Sequence, residues 1–81
     1  MPHVHIFLYP GRTNEQKKSL ADRIIKDMVE VIGTSEDVIS IGFEDVTPEN
    51  WDEYVVKPFI AEKKKFLVKP PKYESKYFKD G

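Results

Sequence analysis

Apolar and polar residues alternate in two short stretches of the chain, residues 2–8 and residues 38–46. A period of two is typical of a half-buried β-strand, because successive side chains point to opposite faces of a sheet. The sequence therefore predicts two strands, separated by a segment with a different period. The apolar positions are Val4, Ile6 and Leu8 in the first stretch and Ile39, Ile41 and Phe43 in the second.

Between these stretches apolar residues recur every three or four positions, which predicts an amphipathic helix from Asn14 to Ile32. Thr13 or Asn14 is suited to cap its start, and Gly33 is suited to cap its end. Strand, helix and strand in this order predict an α/β fold, a βαβ unit with two parallel strands and one long right-handed crossover helix. The buried stripe comprises Leu20, Ala21, Ile24, Ile25, Met28, Val31 and Ile32.

The chain after the second strand is predicted to form a short, interrupted helical segment. Thr47-Pro48 supplies an N-cap and a proline at the first helical position, which predicts a helix to about Val56. Pro58 removes a helical hydrogen bond, so we expect a kink or a restart there. Residues 72–81 are polar and rich in lysine, which fits either a mobile tail or an arm ordered by a partner subunit. The second helical piece carries Phe59, Ile60, Phe66 and Leu67.

Length and composition narrow the class of protein. We expect one domain, residues 1–81, with a folded core over residues 2–68 and a C-terminal arm or tail over residues 69–81. Cysteine is absent, which excludes disulfides and thiolate chemistry. The net charge of −1, the lack of an apolar run of about 20 residues and the lack of a leader predict a cytoplasmic protein that binds neither nucleic acid nor membrane.

Pro2 carries the most informative chemistry. Removal of Met1 ahead of a small second residue would turn the proline nitrogen into a free secondary amine. Such an amine, when partly withdrawn from water, loses some preference for its charged form and can act as a base near neutral pH. A proline that merely begins an edge strand is the structural alternative.

The remaining candidates are an arginine, two histidines and two aromatic residues. Arg12 follows a Pro-Gly turn just before the helix, so its guanidinium and the helix amides predict a carboxylate-binding corner, unless it is an ordinary surface arginine. His3 and His5 share one strand face but lack a third ligand, so we expect no metal site. Trp51 and Tyr9 are packing residues on composition alone.

Several of these features together resemble the 4-oxalocrotonate tautomerase family. They are Pro2, the alternating first strand, the helix start Gly11-Arg12-Thr13-Asn14-Glu15-Gln16-Lys17, the second strand and Trp51. The resemblance covers residues 2 to about 51. The later part, including Lys69-Pro70-Pro71-Lys72-Tyr73, is similar to the longer-tailed branch called PptA.

The resemblance implies keto-enol tautomerisation of 2-oxo acid enols without a cofactor. It implies that Pro2 is the general base and acid, that Arg12 binds the substrate carboxylate, and that Trp51 and Tyr9 line an apolar pocket. Ser40 stands where the members specific for dicarboxylates have a second arginine. This difference puts 4-oxalocrotonate itself in doubt and favours monoacid enols such as that of phenylpyruvate.

The resemblance also implies assembly into dimers, which in some members stack as trimers of dimers. Because two strands leave edges and one sheet face bare, we expect copies to pair through their sheets and the pocket to lie near the subunit interface. The extended C-terminus favours a homodimer over a hexamer. Two alternatives stay open: a hydratase or dehalogenase relative that uses a protonated Pro2, and a non-catalytic ligand-binding module on the same scaffold.

Overall fold

Two six-residue strands form a parallel two-stranded sheet. Strand β1 spans His3–Leu8 and strand β2 spans Ser40–Asp45, in a computed structural model that describes residues 1–78. The register pairs His3 with Ser40 at one end and Leu8 with Asp45 at the other. Both predicted strands are therefore confirmed. The second begins later than expected, because Glu36–Val38 forms a 3₁₀ turn capped by the Ser35 side chain.

Helix α1 connects the strands and spans Asn14–Ile32, as predicted. Its start is fixed by a capping box: the Gln16 amide donates to Thr13 Oγ1 at 3.0 Å, and the Thr13 amide donates to Gln16 Oε1 at 2.8 Å. Thr13, rather than Asn14, is thus the N-cap. The helix ends at Gly33, whose φ of 71° is the left-handed conformation that glycine adopts without a Cβ penalty.

The predicted apolar stripe of α1 is correct in its middle and wrong at both ends. Leu20 is 45% exposed, Val31 81% and Ile32 61%. Length explains the exposed C-terminal turn, since a 19-residue helix is about 28 Å long and a six-residue strand about 20 Å. The end of the helix therefore extends beyond the sheet of its own chain. Half-buried positions of the stripe are Ala21, Ile24, Ile25 and Met28.

The chain divides into two compact units, and the second begins at Val46. In it, helix α2 spans Pro48–Trp51 and continues as a π-helix over Asp52–Ala61, which contains Pro58. The α-helix is thus interrupted as expected, but at Asp52, where the wider π-helical hydrogen bonding begins. The helix continues through Pro58 without a restart. In a π-helix each amide bonds five residues back, so the α-helical bond that proline would break is already absent.

The buried side chains described in the second unit are three valines, Val46 at 6%, Val55 at 4% and Val56 at 0% exposure. The predicted second helical piece is largely wrong, because the chain after Ala61 forms only a 3₁₀ turn at Lys64–Phe66, with Phe66 68% exposed. Two of its apolar residues, Phe59 and Ile60, belong to the π-helix.

Residues 73–78 form a segment that we call the strap, which ends in a 3₁₀ turn at Lys76–Phe78. Its side chains bond residues 51–53 of the same unit. The sequence suggested a mobile tail or an arm ordered by a partner, and these contacts within the chain were not foreseen. Residues 79–81 of that predicted arm lie outside the described part. None of the helices within residues 1–78 combines the length and apolar character needed to span a membrane.

Candidate active site

Pro2 immediately precedes β1, and its backbone is held in place. The Ser40 amide donates to the Pro2 carbonyl oxygen at 3.2 Å, and the proline is half-buried. Met1, in contrast, is 98% exposed. The proline nitrogen therefore belongs to a strand end whose backbone is hydrogen-bonded, and Met1 ahead of it projects into solvent.

Ser40 lies beside Pro2 and bonds a residue that the sequence analysis left without a role. Its hydroxyl oxygen is 2.6 Å from His3 Nδ1. In the parallel register His3 and Ser40 are paired, so their side chains share one sheet face. The structure therefore groups Pro2, His3 and Ser40 at one end of the sheet. The sequence contains all three residues, but only the strand register shows that they are neighbours.

The same sheet face continues with a second histidine. His5 Nε2 is 3.0 Å from Glu44 Oε1, and the His5 ring meets the Phe7 ring edge-on with centroids 4.8 Å apart. Gly42 makes room for this imidazole, because a Cβ there would lie 3.0 Å from His5 Nδ1. We call the strip formed by residues 3, 5, 7, 40, 42 and 44 the histidine face. No group of three potential metal-binding side chains occurs within residues 1–78.

Arg12 lies at the opposite end of the sheet. It is exposed, follows Gly11 with a φ of 124°, and makes no hydrogen bond or ion pair with another residue in the range 1–78. The adjoining helix start is tied to the end of β2, since Lys17 Nζ is 3.0 Å from Asp45 Oδ1 and Asp45 pairs with Leu8. Tyr9, 45% exposed, is at this end as well.

The single chain does not bring Pro2 and Arg12 together. Six residue steps separate Pro2 from Leu8 along an extended strand, a distance of about 20 Å at 3.3 Å per residue. Arg12 lies beyond Leu8, and the Lys17–Asp45 ion pair keeps the start of α1 at that end. A substrate held by both residues would need an arginine from another copy of the chain.

Trp51, the last residue of α2, is half-buried in the second unit and has a defined partner. Its indole Nε1–H donates to the Tyr73 hydroxyl at 3.1 Å. Tyr73 was not among the predicted site residues. Its tie to Trp51 spans 22 residues and depends on the path of the strap, which no periodicity in the sequence indicates.

The rest of the strap is bonded to the two residues that follow Trp51. Ser75 Oγ donates to Asp52 Oδ1 at 3.0 Å, and Glu53 accepts from the Tyr77 hydroxyl at 2.6 Å and from Lys76 Nζ at 3.0 Å. The Tyr77 hydrogen bond, followed by that of Lys76, lowers the pKa of Glu53 below its ordinary value. The hydrogen bond to Glu53 raises the pKa values of both Lys76 and Tyr77.

Comparison with known proteins identifies relatives along most of the chain. The family model described as "Tautomerase enzyme" matches residues 2–56. A probable tautomerase of Xylella fastidiosa is 34% identical over 73 residues, covering 90% of this chain and 89% of the relative. Tautomerase PptA of Pectobacterium carotovorum is 30% identical over 74 residues, covering 90% of this chain and 97% of the relative.

A solved structure has the same fold. It belongs to the 4-oxalocrotonate tautomerase isozymes from Methylibium petroleiphilum and superimposes with a TM-score of 0.57 at 34% identity. The match covers 62% of this chain and 81% of that one. The predicted resemblance, including its PptA-like character, and the βαβ fold class are thereby confirmed.

Proposed function

Because this chain belongs to the tautomerase family and is an enzyme of that family, we propose that it interconverts the keto and enol forms of 2-oxo acids, with Pro2 as the proton-transferring group. The position of Pro2 carries this proposal. Pro2 is half-buried, its carbonyl oxygen accepts a hydrogen bond from the Ser40 amide, and Met1 ahead of it is exposed and open to removal.

A single amine suffices for this reaction. Tautomerisation removes a proton from one site of the enol and returns a proton to the carbon next to the carbonyl, so one group acts as base and then as acid. The amine must start uncharged. Partial burial and a nearby guanidinium both disfavour its protonated form, and a change of one pKa unit corresponds to about 1.4 kcal/mol. Trp51 and Tyr9 are proposed to line the pocket and keep it apolar.

Arg12 is proposed to hold the substrate carboxylate from a second copy of the chain. The separation of about 20 Å between the two ends of β1 supports this assignment, since Pro2 and Arg12 of one chain are too far apart to hold one small acid. The exposed guanidinium, with no ion pair among residues 1–78, is available for bidentate binding of a carboxylate. A homodimer is the smallest assembly that meets this requirement, and a hexamer also does.

Ser40 is proposed to set the substrate class. A hydroxyl stands near the proline end of the sheet, bonded to His3, and it brings no positive charge. With one arginine per site, a monoacid with an aromatic or aliphatic body fits better than a diacid. The enol of phenylpyruvate is the test substrate we propose.

The decisive experiment compares three forms of the full chain with this enol. Intact mass first establishes that Met1 is absent from the wild type. Pro2→Ala, which keeps a terminal amine but loses the ring, is expected to lower kcat/KM by about 100-fold or more. A chain with a lysine inserted between Met1 and Pro2 keeps its methionine and should be inactive, because its proline nitrogen is an amide.

The pH profile separates this reaction from that of a hydratase-type relative. If neutral Pro2 is the base, kcat/KM rises with pH as the amine loses its proton. In an enzyme that needs protonated Pro2, kcat/KM would instead fall as pH rises and the amine loses its proton. Full activity of Pro2→Ala, or of the chain that retains Met1, would overturn the proposal.

A further inference from the structure

The only tryptophan of the chain is held by a tyrosine of the strap. We infer that Tyr73 is a positioning residue, which fixes the Trp51 indole through the hydrogen bond from Nε1–H to its hydroxyl and so sets how tightly the apolar body of the substrate is bound. This inference rests on the proposed function in one respect, the placement of Trp51 in the substrate pocket.

The chemistry of the indole limits what Trp51 can do. Indole has a single N–H donor, and in Trp51 that donor is directed at the Tyr73 hydroxyl at 3.1 Å. Trp51 is therefore not poised to donate a hydrogen bond to a substrate oxygen. It presents its ring, so its contribution is contact area and exclusion of water.

The strap is attached to residues 51–53 in a regular order. Tyr73 meets Trp51, Ser75 meets Asp52, and Tyr77 meets Glu53, so each step of one residue along the helix matches two residues of the strap. The Lys76–Glu53 ion pair adds a second bond at the last position. Tyr73 is the member of this series that reaches the aromatic side chain.

The strap also borders a cavity. This cavity, of about 340 Å³, is lined by Tyr73, Tyr77 and Phe78 together with residues of the segment 60–72. A side chain that borders a cavity makes fewer contacts there than in a filled core. The hydroxyl–indole bond therefore links Tyr73 directly to Trp51 at a place where the Tyr73 ring borders open space.

Trp51 also provides the measurement, since its fluorescence has no other tryptophan source. Tyr73→Phe keeps the ring and removes only the hydroxyl. We expect it to shift the Trp51 emission maximum and to increase quenching by iodide. Tyr77→Phe is the matched control, because it removes a strap hydroxyl that bonds Glu53 and not Trp51, while the Lys76–Glu53 ion pair still attaches that end of the strap. Circular dichroism establishes that each variant is folded.

With the enol of phenylpyruvate, Tyr73→Phe should raise KM roughly 3- to 10-fold, the effect of losing one hydrogen bond, and leave kcat within about twofold. In a Trp51→Phe background the same change should have no further effect on KM, because the side chain through which Tyr73 acts is gone. Tyr77→Phe should leave KM unchanged.

The outcomes separate this inference from the proposed function. If Tyr73→Phe changes neither fluorescence nor KM in an active enzyme, the inference is overturned and the proposed function stands. An effect on KM that persists in the Trp51→Phe background also overturns it, since Tyr73 would then act by another route. If no enol is turned over by the wild type, the proposed function fails while the fluorescence result still tests the bond.

Discussion

The two units of the chain differ in where their functional side chains find partners. In the first unit, Pro2 lies at one end of β1 and Arg12 follows the other end, and about 20 Å of extended strand separates the two ends. In the second unit, Trp51 is bonded by a tyrosine 22 residues later in the same unit. Under the proposed function, Pro2 and Arg12 of the first unit act together only across two copies of the chain, whereas Trp51 of the second unit is bonded within its own unit. Three predictions bear on this difference.

The largest expected effect comes from mixing two inactive variants. Pro2→Ala and Arg12→Ala should each lose most activity alone, Pro2→Ala by about 100-fold or more. If each site combines Pro2 of one copy with Arg12 of another, mixed dimers contain one intact site. An equal mixture, unfolded and refolded together, should then recover about a quarter of wild-type activity. Steady-state rates before and after mixing measure this.

The control for mixing is each variant refolded with itself, which should stay inactive. Recovery no greater than the sum of the separate variants would mean that both residues of a site come from one chain. In that case the loop that carries Arg12 would have to move toward Pro2 of the same chain, although the two ends of β1 are about 20 Å apart.

An intermediate effect is expected at Ser40. Ser40→Arg places a second guanidinium at the proline end of the sheet, so it should shift the ratio of kcat/KM for a dicarboxylic enol over a monoacid enol by roughly tenfold toward the diacid. Ser40→Ala is the control, because it also removes the bond to His3 but adds no charge. Equal ratios for the two variants would show that charge at position 40 does not select the substrate.

The smallest effect concerns the strap and its dependence on pH. Glu53 has a lowered pKa, so its contribution to strap attachment is present above its ordinary value of 4.5 and is lost as pH falls through the lowered value. Lys76 has a raised pKa, so its contribution is complete below its ordinary value of 10.5 and is lost as pH rises through the raised value. Tyr77, also raised, supports the bond in its protonated form and loses it at high pH.

Trp51 fluorescence between about pH 3 and 7 should therefore show an acid transition that Glu53→Gln removes or shifts. Because these groups are exposed, we expect a modest change in emission and no loss of the fold. This measurement does not require activity. It therefore tests, independently of catalysis, whether Trp51 is positioned by contacts within the second unit. An identical acid transition in wild type and Glu53→Gln would show that the strap does not depend on this carboxylate.

Sequence patterns predicted the secondary structure correctly where the residues that define an element lie close together in the chain. Helix α1 has the predicted bounds, because the capping residues Thr13, Gln16 and Gly33 lie within a few positions of the ends they define. The strands were predicted from alternation alone. Pro58 indicated that the α-helical hydrogen bonding is interrupted, but it did not indicate that a π-helix replaces it. The change to π-helical bonding depends on how the whole segment packs.

The sequence by itself determined the βαβ order, the capped crossover helix and the identity of the candidate base and carboxylate ligand, because each of these follows from residues close together in the chain. Tertiary structure alone decided which of them are neighbours. The parallel register places Ser40 and His3 beside Pro2, and Arg12 follows the other end of β1. The path of the strap places Tyr73 next to Trp51. Contacts between residues 22 to 38 positions apart depend on how the chain folds back, which no local period encodes.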